Sequence, residues 1–136
     1  MNIRKFEEKD RQSLIKLWEE VFPDDPPHNA PAKVIDAKLE VDDLIFIAEN
    51  NEILIGACMA GYDGHRGWLY AVAVLNDYRR DGIGAALVNY TLQSLKKLGC
   101  IKVNLQIRST NTAVAEFYKS LGFAVEDRLS MGAFIE

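Results

Sequence analysis

The segment from Trp68 to Leu87, WLYAVAVLNDYRRDGIGAAL, constrains the fold of this chain more than any other segment. Its first part, Trp68 to Leu75, is apolar and rich in β-branched and aromatic residues, as in a buried strand. Asn76-Asp77 ends that strand, and an Arg-Arg-Asp-Gly-Ile-Gly turn leads into a helical pattern. The sequence therefore predicts a strand, a glycine-containing turn and a helix in direct succession.

The predicted turn has the features of an anion-binding site. The first backbone N–H groups of a helix have no partner within it, and the helix dipole favours negative charge there. Gly82 and Gly84 let the backbone approach a phosphate closely, and Arg79 and Arg80 add two positive charges. We therefore predict that this turn holds a pyrophosphate; a plain structural turn is the alternative when the hexapeptide is taken alone.

Two common phosphate motifs do not account for Gly82-x-Gly84. No Gly-Lys-[Ser/Thr] follows, so the turn is not a Walker loop. Leu87 stands where a dinucleotide-binding fingerprint has its third glycine, and the order of the preceding strands is also wrong for that fold.

Composition narrows the class of protein. A chain of 136 residues is predicted to form one domain with a sizeable core, and 49% hydrophobic residues are ordinary for a globular protein. No run reaches the ~18 apolar residues of a membrane span, and the first residues lack the apolar core of a signal peptide. We therefore expect a cytoplasmic location and no membrane partner. A net charge of −4 argues against a nucleic-acid partner.

The cysteines and histidines predict neither a disulfide nor a metal site. Cys58 and Cys100 lie in apolar surroundings without a CxxC spacing, so we expect buried free thiols. His28 and His65 are far from each other and from both cysteines, which leaves no metal-ligand spacing.

The first half of the chain predicts strand, helix, helix and two further strands. A short strand over residues 1–6 precedes a helix from an Asp10 N-cap to about Phe22, and a second helix runs from about residues 29–31 to before residues 42–43. Strands over residues 44–49 and 53–62 form a hairpin. The proline-rich segment Pro23 to Pro31 is interpreted as a rigid connection, with a substrate-facing loop as the alternative.

The second half predicts a parallel crossover. A helix after Gly84 ends at Gly99, a strand covers Ile101 to Ile107, and a further helix ends at Gly122, with Asn111 among several candidate N-caps. The short tail after it forms at most a hairpin or one bent strand. The predicted fold is mixed α/β: a largely antiparallel sheet with one right-handed β–α–β crossover, which places the turn at the carboxyl ends of strands.

Two motifs at a fixed spacing resemble those of one family. The segment from Tyr78 to Leu87 is similar to the acetyl-CoA motif of the GCN5-related N-acetyltransferases, [Arg/Gln]-x-x-Gly-x-[Gly/Ala]. Ala73-Val74-Leu75-Asn76-Asp77 precedes it and resembles the family's A-V-x-P-x segment, apart from Asn76 where proline is common. Asn111 to Phe123 resembles the second signature, N-x-x-A-x-x-x-Y-x-x-x-G-F, at the Asn, Tyr, Gly and Phe positions, with Val114 where the signature has alanine. Within the family the chain most resembles small bacterial acetyltransferases of the YpeA type, which share the stretch Gly61 to Gly67.

The resemblance implies a GNAT-like fold and acetyl-CoA as co-substrate. In this family the two parallel strands splay apart, the pantetheine arm lies in the opening, and a strand N–H faces the thioester carbonyl. An amine then attacks the thioester directly, so no enzyme nucleophile is needed. The cofactor-binding residues carried over are Val72, Ala73, Val74, Arg79, Arg80, Asp81, Gly82, Ile83, Gly84, Ala85 and Asn111.

The same resemblance assigns Tyr118 as the catalytic general acid that protonates the departing thiolate; without the motif it would be a core tyrosine. The general base does not carry over. Where the branch that acetylates ribosomal-protein N-termini has a glutamate, this chain has Gln106, which cannot accept the proton. The remaining candidates for the base are Tyr70, Asp63, His65 and Glu49 acting through water, or an amine that arrives neutral.

The resemblance therefore implies an N-acetyltransferase whose acceptor, a small-molecule or peptide amine, is open. Two alternatives stay beside it: a non-catalytic acyl-CoA-binding module, favoured by Gln106, and a ribosomal-type N-terminal acetyltransferase. Asp24 and Asp25 favour a cationic amine. The oligomeric state is open as well, and a homodimer that completes the sheet edge beside the short tail is one arrangement.

Overall fold

The computed structural model describes residues 1–135. These residues fall into two compact units, Met1–Leu105 and a second that begins at Gln106. The strands are β1 (Asn2–Lys5), β2 (Ile45–Asn50), β3 (Ile53–Tyr62), β4 (Gly67–Val74) and β5 (Val103–Asn104). The helices are α1 (Arg11–Val21), α2 (Pro31–Leu39), α3 (Ile83–Lys97) and α4 (Thr112–Ser120).

The sheet confirms the predicted mixed α/β class. Its strand order is β1-β2-β3-β4-β5; the first three pairings are antiparallel and the pairing of β4 with β5 is parallel. Helix α3 connects the two parallel strands, as a parallel pair requires a crossover connection. The predicted β–α–β unit is therefore present in the first compact unit.

Helices cover both faces of this sheet. On one face Leu14, Leu17 and Trp18 of α1 and Ile35 of α2 are buried against Ile45, Ile47, Ala57 and Ala73 of the sheet. On the other face a Cβ on Gly56 would lie 3.0 Å from Leu87 of α3. Adjacent strand residues point to opposite faces, so Gly56 and Ala57 belong to different layers. Each fully buried Leu or Ile contributes about 1.5–3 kcal/mol relative to an exposed one.

The helix ends follow local sequence signals. Proline at the first position of α2 has no N–H to leave unpaired. At the end of α3, Gly99 adopts a φ of +98°, its N–H donates to the carbonyl of Lys96, and the N–H of Cys100 donates to that of Leu95. That pair of bonds is the Schellman motif, which explains why the helix ends at this glycine.

The extent of the last strand and the start of α3 differ from the prediction. The strand predicted over residues 101–107 is wrong in extent, because only Val103 and Asn104 pair with β4. Alternation indicates which residues would share a face, but a strand also needs a partner ladder, and alternation does not specify one. Helix α3 begins at Ile83 rather than after Gly84.

Other features bear on the predicted class. Within residues 121–135 no helix or strand is assigned. Both cysteines are free and buried, as predicted. No helix within residues 1–135 combines the length and apolarity needed to cross a membrane.

Candidate active site

Strand β4 contains a bulge that changes which way its backbone points. Ala57 pairs with Ala73 and Met59 pairs with Tyr70, so Cys58 alone lies opposite two residues of β4. Those two residues are Ala71, which has a φ of +50°, and Val72. One extra residue shifts the strand's alternation by one position.

The hydrogen bonds on either side of the bulge show this shift. Before it, the N–H of Gly67 donates to the carbonyl of Lys102, on the β5 side, at 2.9 Å. After it, the N–H of Leu75 donates to the carbonyl of Ile55, on the β3 side, at 2.8 Å. In a regular strand residues 67 and 75 would face the same edge, because they are separated by an even number of residues. The bulge therefore reverses the edge of β4 toward which the backbone groups of odd-numbered and even-numbered residues point.

The reversal decides which predicted cofactor-binding residues face away from β3. Since Leu75 donates to β3, alternation turns the N–H and C=O of Val74 toward the opposite edge, together with those of Val72. Ala73, paired with Ala57, faces β3 instead. Within the described first unit the β4–β5 ladder comprises Gly67–Val103 and Trp68–Asn104, so β4 beyond Trp68 has an edge that β5 does not cover.

The turn after β4 is tied back to the strand. Residues 76–78 form a single 3₁₀ turn, whose last N–H, that of Tyr78, donates to the carbonyl of Leu75 at 2.9 Å. The Nε of Arg79 donates to the carbonyl of Val74 at 3.2 Å. Arg80 is exposed and adopts a φ of +74°. Within residues 1–135 no hydrogen bond or ion pair engages the Arg80 side chain.

Within residues 1–135 no side chain caps the N-terminus of α3. Gly82 is the N-cap residue, with a φ of +78°, and the first intrahelical bond runs from the N–H of Ala86 to its carbonyl at 3.0 Å. The N–H groups of Ile83, Gly84 and Ala85 consequently lack an intrahelical acceptor. The first turn of the helix holds no acidic residue, although exposed Asp81 precedes it. These are the properties of an anion-binding helix end.

The second unit holds the other two predicted residues. Asn111 is the N-cap of α4, and its side chain accepts a hydrogen bond from the N–H of Val114 at 3.3 Å, which confirms the predicted capping. Tyr118 is 8% exposed and packs edge-to-face against Phe117 and Phe123, with ring centroids 5.0 and 5.5 Å away. The packing fixes the orientation of the ring.

Glu49, one candidate base, is held by an ion pair. Arg4 donates from Nε and Nη2 to its two carboxylate oxygens, each at 3.1 Å. These bonds, with one from Asn2, hold the pKa of Glu49 below its usual value. A carboxylate so stabilised is a weak proton acceptor.

Asp63 and Tyr70 also lack the environment that a general base requires. Asp63 accepts the N–H groups of Arg66 and His65 at 2.7 and 2.8 Å, which lowers its pKa and stabilises the turn between β3 and β4. Burial, and then the charge of Asp63, raises the pKa of Tyr70. Gln106 donates from its amide to the hydroxyl of Ser130.

The thiol of Cys58 is not a nucleophile in this structure, since burial raises its pKa to about 12. Among residues 1–135 no cluster of three or more His, Cys, Asp or Glu side chains is arranged to hold a metal ion.

Sequence reasoning missed two features that shape β4. The indole Nε1 of Trp18 donates to the carbonyl of Ala71 at 2.9 Å, and Ala71 itself adopts the left-handed conformation. In the sequence, Trp18 fits the pattern of any core residue in an amphipathic helix, and an alanine does not indicate a positive φ. Neither feature could be found without the structure.

Comparison with known proteins identifies the class. The model of the acetyltransferase (GNAT) family matches residues 11–123. An acetyltransferase of Yersinia pestis (strain Pestoides F) is 38% identical over 135 residues, which cover 97% of this chain and 94% of that protein. Among solved structures, the aminoglycoside N-acetyltransferase AAC(6')-Iy in complex with CoA has a TM-score of 0.83 at 21% identity and covers 98% and 93% of the two chains.

A second solved structure is the ribosomal-protein-S18-alanine N-acetyltransferase from Escherichia coli. It has a TM-score of 0.76 at 25% identity, and the match covers 89% of this chain and 76% of that one.

The structure thus has a bulged strand, a parallel crossover and an uncapped helix N-terminus, and the sequence matches a family of acetyltransferases. The chain belongs to the GNAT family of acetyltransferases and is an acetyl-CoA-dependent N-acetyltransferase.

Proposed function

We propose that the co-substrate binds along the open edge of β4 and at the N-terminus of α3, and that its acetyl group is transferred to a primary amine. The observation that carries this proposal is two sets of backbone groups in the described first unit: the edge of β4 at Val72 and Val74, which faces away from β3 beyond the end of the β4–β5 ladder, and the N–H groups of Ile83 to Ala85, which have no intrahelical acceptor. Both lie in one continuous segment of the first compact unit.

The two sets of groups fit different parts of coenzyme A. The N–H groups of residues 83–85, the helix dipole and the charge of Arg80 suit a pyrophosphate, which carries negative charge and accepts hydrogen bonds. The backbone edge at Val72 and Val74 suits the amides of a pantetheine arm, because the two N–H groups and the Val72 carbonyl face that edge, while the Val74 carbonyl accepts from Arg79. Gly82 permits the turn between them through its positive φ. In this assignment Ala73 supports the site through its pairing with β3.

The chemistry is direct acyl transfer. Bound acetyl-CoA supplies an activated thioester; the amine nitrogen forms a bond to the acetyl carbon, and the carbon–sulfur bond breaks. A β4 N–H donates a hydrogen bond to the thioester oxygen as negative charge develops there. The hydroxyl of Tyr118 gives a proton to the departing thiolate, and the amine loses one to solvent. Asn111, besides capping α4, is proposed to bind the cofactor arm.

The environments of Glu49, Asp63 and Tyr70 favour an amine that arrives neutral. Glu49 and Asp63 both have lowered pKa values, from hydrogen bonds by Arg4 and by backbone N–H groups respectively. Tyr70 has a raised pKa, which keeps its hydroxyl protonated at neutral pH. We therefore propose that no carboxylate of this set removes the amine proton.

We further propose that the acceptor, a small molecule or a peptide, is cationic overall, with positive charge elsewhere on the molecule when the reacting amine is neutral. Asp24 and Asp25 are exposed in the loop between α1 and α2, and the chain carries a net charge of −4. A single domain that comprises both compact units, a cytoplasmic location and a homodimer stay predictions.

Calorimetric titration of the pure protein with acetyl-CoA tests the site. We expect saturable binding in the micromolar range, and no binding at millimolar ligand would contradict the proposal. A panel of amines, read by mass spectrometry of the acetylated product, then identifies the acceptor class. Acidic and neutral amines that outcompete polyamines and lysine derivatives would exclude a cationic acceptor.

A further inference from the structure

We propose that Trp18 is a positioning residue: its indole N–H holds the β4 bulge, and the bulge sets the register of the backbone edge to which acetyl-CoA binds. The inference rests on the proposed function for its effect on binding. The register itself can be measured without any ligand.

The first step is the hydrogen bond. Trp18 is 3% exposed in α1, and its Nε1 lies 2.9 Å from the carbonyl oxygen of Ala71, 53 residues later in the chain. A buried indole N–H is stable only with an acceptor, and a carbonyl turned out of a ladder by a bulge needs a donor. Each group therefore satisfies the other, and Leu14 and Leu17 hold α1 in place beneath them.

The second step is the conformation of the bulge. Ala71 has a φ of +50°, which an L-residue adopts at a steric cost because its Cβ approaches the carbonyl oxygen. Glycine would avoid this cost, but the chain has alanine here. The bulge is therefore not favoured by the local sequence, and a contact from outside the strand has to maintain it.

The third step is what the bulge controls. With it, Leu75 donates its N–H to Ile55 and Val74 faces the open edge. Without the extra residue, alternation would turn the N–H and C=O of Val74 toward β3 and those of Leu75 away from it. Loss of the Trp18 bond is therefore expected to alter cofactor binding with little change in the cofactor's own contacts elsewhere.

The Trp18→Phe variant removes the N–H donor and keeps an aromatic ring. A matched control is Leu17→Val, which loses buried volume in the same helix but no hydrogen bond. We expect Trp18→Phe to weaken acetyl-CoA binding about tenfold, and Leu17→Val, compared at equal loss of melting temperature, to change it less than twofold. Equal losses in both variants would mean that Trp18 acts only by packing, which would overturn the proposal.

A second substitution separates positioning from packing. Glycine at position 71 accepts φ of +50° without the Cβ contact, so it reduces the need for an external anchor. In the Trp18→Phe background, Ala71→Gly should restore affinity by at least threefold. Absence of any recovery would contradict the role of the bulge. If Trp18→Phe does not fold, site-specific benzothienylalanine at position 18 replaces it, since sulfur substitutes for the N–H in a ring of the same shape.

Amide hydrogen exchange reports the register directly. In the wild type the Leu75 amide should exchange slowly and the Val74 amide rapidly; in Trp18→Phe this difference should shrink or reverse, and it should persist in Leu17→Val. An unchanged exchange pattern in Trp18→Phe would overturn the inference even where binding falls. A wild type that shows the expected exchange but binds no acetyl-CoA would contradict the proposed function and leave the Trp18 anchor established.

Discussion

The Nε of Arg79 lies 3.2 Å from the carbonyl oxygen of Val74 and donates a hydrogen bond to it across the turn that follows β4. The neighbouring arginine, Arg80, is exposed in a left-handed conformation with a φ of +74°. Two adjacent residues of the same type thus have different roles: Arg79 ties the turn to the strand, and Arg80 places a positive charge beside the helix end.

Arg80 is therefore expected to contribute charge to cofactor binding at a cost in stability. Arg80→Ala should weaken acetyl-CoA binding about fivefold at low salt and less at high salt, because exposed charges are screened. Arg80→Gly should weaken it equally but raise the free energy of unfolding by about 0.5 kcal/mol, since glycine avoids the left-handed penalty. Calorimetry and urea unfolding measure the two effects, with exposed Lys16→Ala as the control. A gain in stability from Arg80→Ala as large as from Arg80→Gly would contradict the strain argument.

Gly82 is expected to be required for its backbone and not for space. A Cβ built there meets nothing within 4 Å, but φ is +78°. Gly82→Ala should therefore cost about 1 kcal/mol of stability and shift the start of α3, which should lower acetyl-CoA affinity at least tenfold. Gly132→Ala is the matched control, because a Cβ there also meets nothing within 4 Å and no positive φ is required. Equal effects of the two substitutions in calorimetry and thermal unfolding would exclude the backbone argument.

The strand–turn–helix unit could be predicted because its signals are local. The apolar run of β4, the glycines of the turn and the periodicity of α3 each act over a few residues, and the observed elements Gly67–Val74 and Ile83–Lys97 lie within two residues of the prediction. Asn111 as a cap is also a local feature, and the structure confirms it.

The features that the sequence did not predict depend on distant partners. Strand β5 is short because its ladder with β4 comprises Gly67–Val103 and Trp68–Asn104, and alternation within Ile101 to Ile107 cannot indicate where pairing ends. The bulge at Ala71 depends on Trp18, and the low pKa of Glu49 depends on Arg4. Tertiary contacts of this kind override local propensity.

Tyr118 is expected to affect turnover more than binding. Its ring is fixed by Phe117 and Phe123, so Tyr118→Phe removes one hydroxyl and preserves the aromatic packing. Loss of a general acid typically lowers the rate 10²–10⁴-fold, and we expect about 100-fold in kcat with acetyl-CoA affinity changed less than threefold. Steady-state kinetics on an identified amine and calorimetry measure these values. Phe117→Leu is the control for aromatic packing; unchanged turnover in Tyr118→Phe would remove the acid role.

The ion pairs of Arg4 are expected to determine how the free energy of unfolding falls at acid pH. It donates to both oxygens of Asp10 at 2.8 and 2.9 Å and to Glu49. Burial opposes ionisation of Asp10, but the bonds from Arg4 prevail and its pKa is lowered, as is that of Glu49. Because the pKa values of these carboxyl groups are lower in the folded state than in the unfolded state, they stabilise the fold at any pH above the unfolded-state pKa values. This stability is lost as pH falls from about 5 toward 2.

Arg4→Ala should lower the free energy of unfolding by about 2 kcal/mol at pH 7, because it leaves the Asp10 carboxylate poorly solvated and unpaired. It should also flatten the decline of stability between about pH 5 and pH 3. Urea unfolding at several pH values measures both effects. Lys5→Ala, which breaks the exposed pair with Asp43, is the control and should leave the slope unchanged. An equally steep acid decline in Arg4→Ala would contradict the assignment.

Gly67 is expected to be essential where β4 meets β5. A Cβ on Gly67 would lie 2.7 Å from Sγ of Cys100, 3.1 Å from Val103 and 3.3 Å from Leu95. Gly67→Ala should therefore destabilise the protein by about 2 kcal/mol through overpacking. Adding Cys100→Ala removes the nearest atom and should recover at least half of that loss, although Cys100→Ala alone is destabilising. Gly61→Ala on β3, where the nearest atom is 3.6 Å away, is the control with a change under about 0.5 kcal/mol. Additive losses in the double variant, measured by urea unfolding, would show that Gly67 is not limited by the Cys100 side chain.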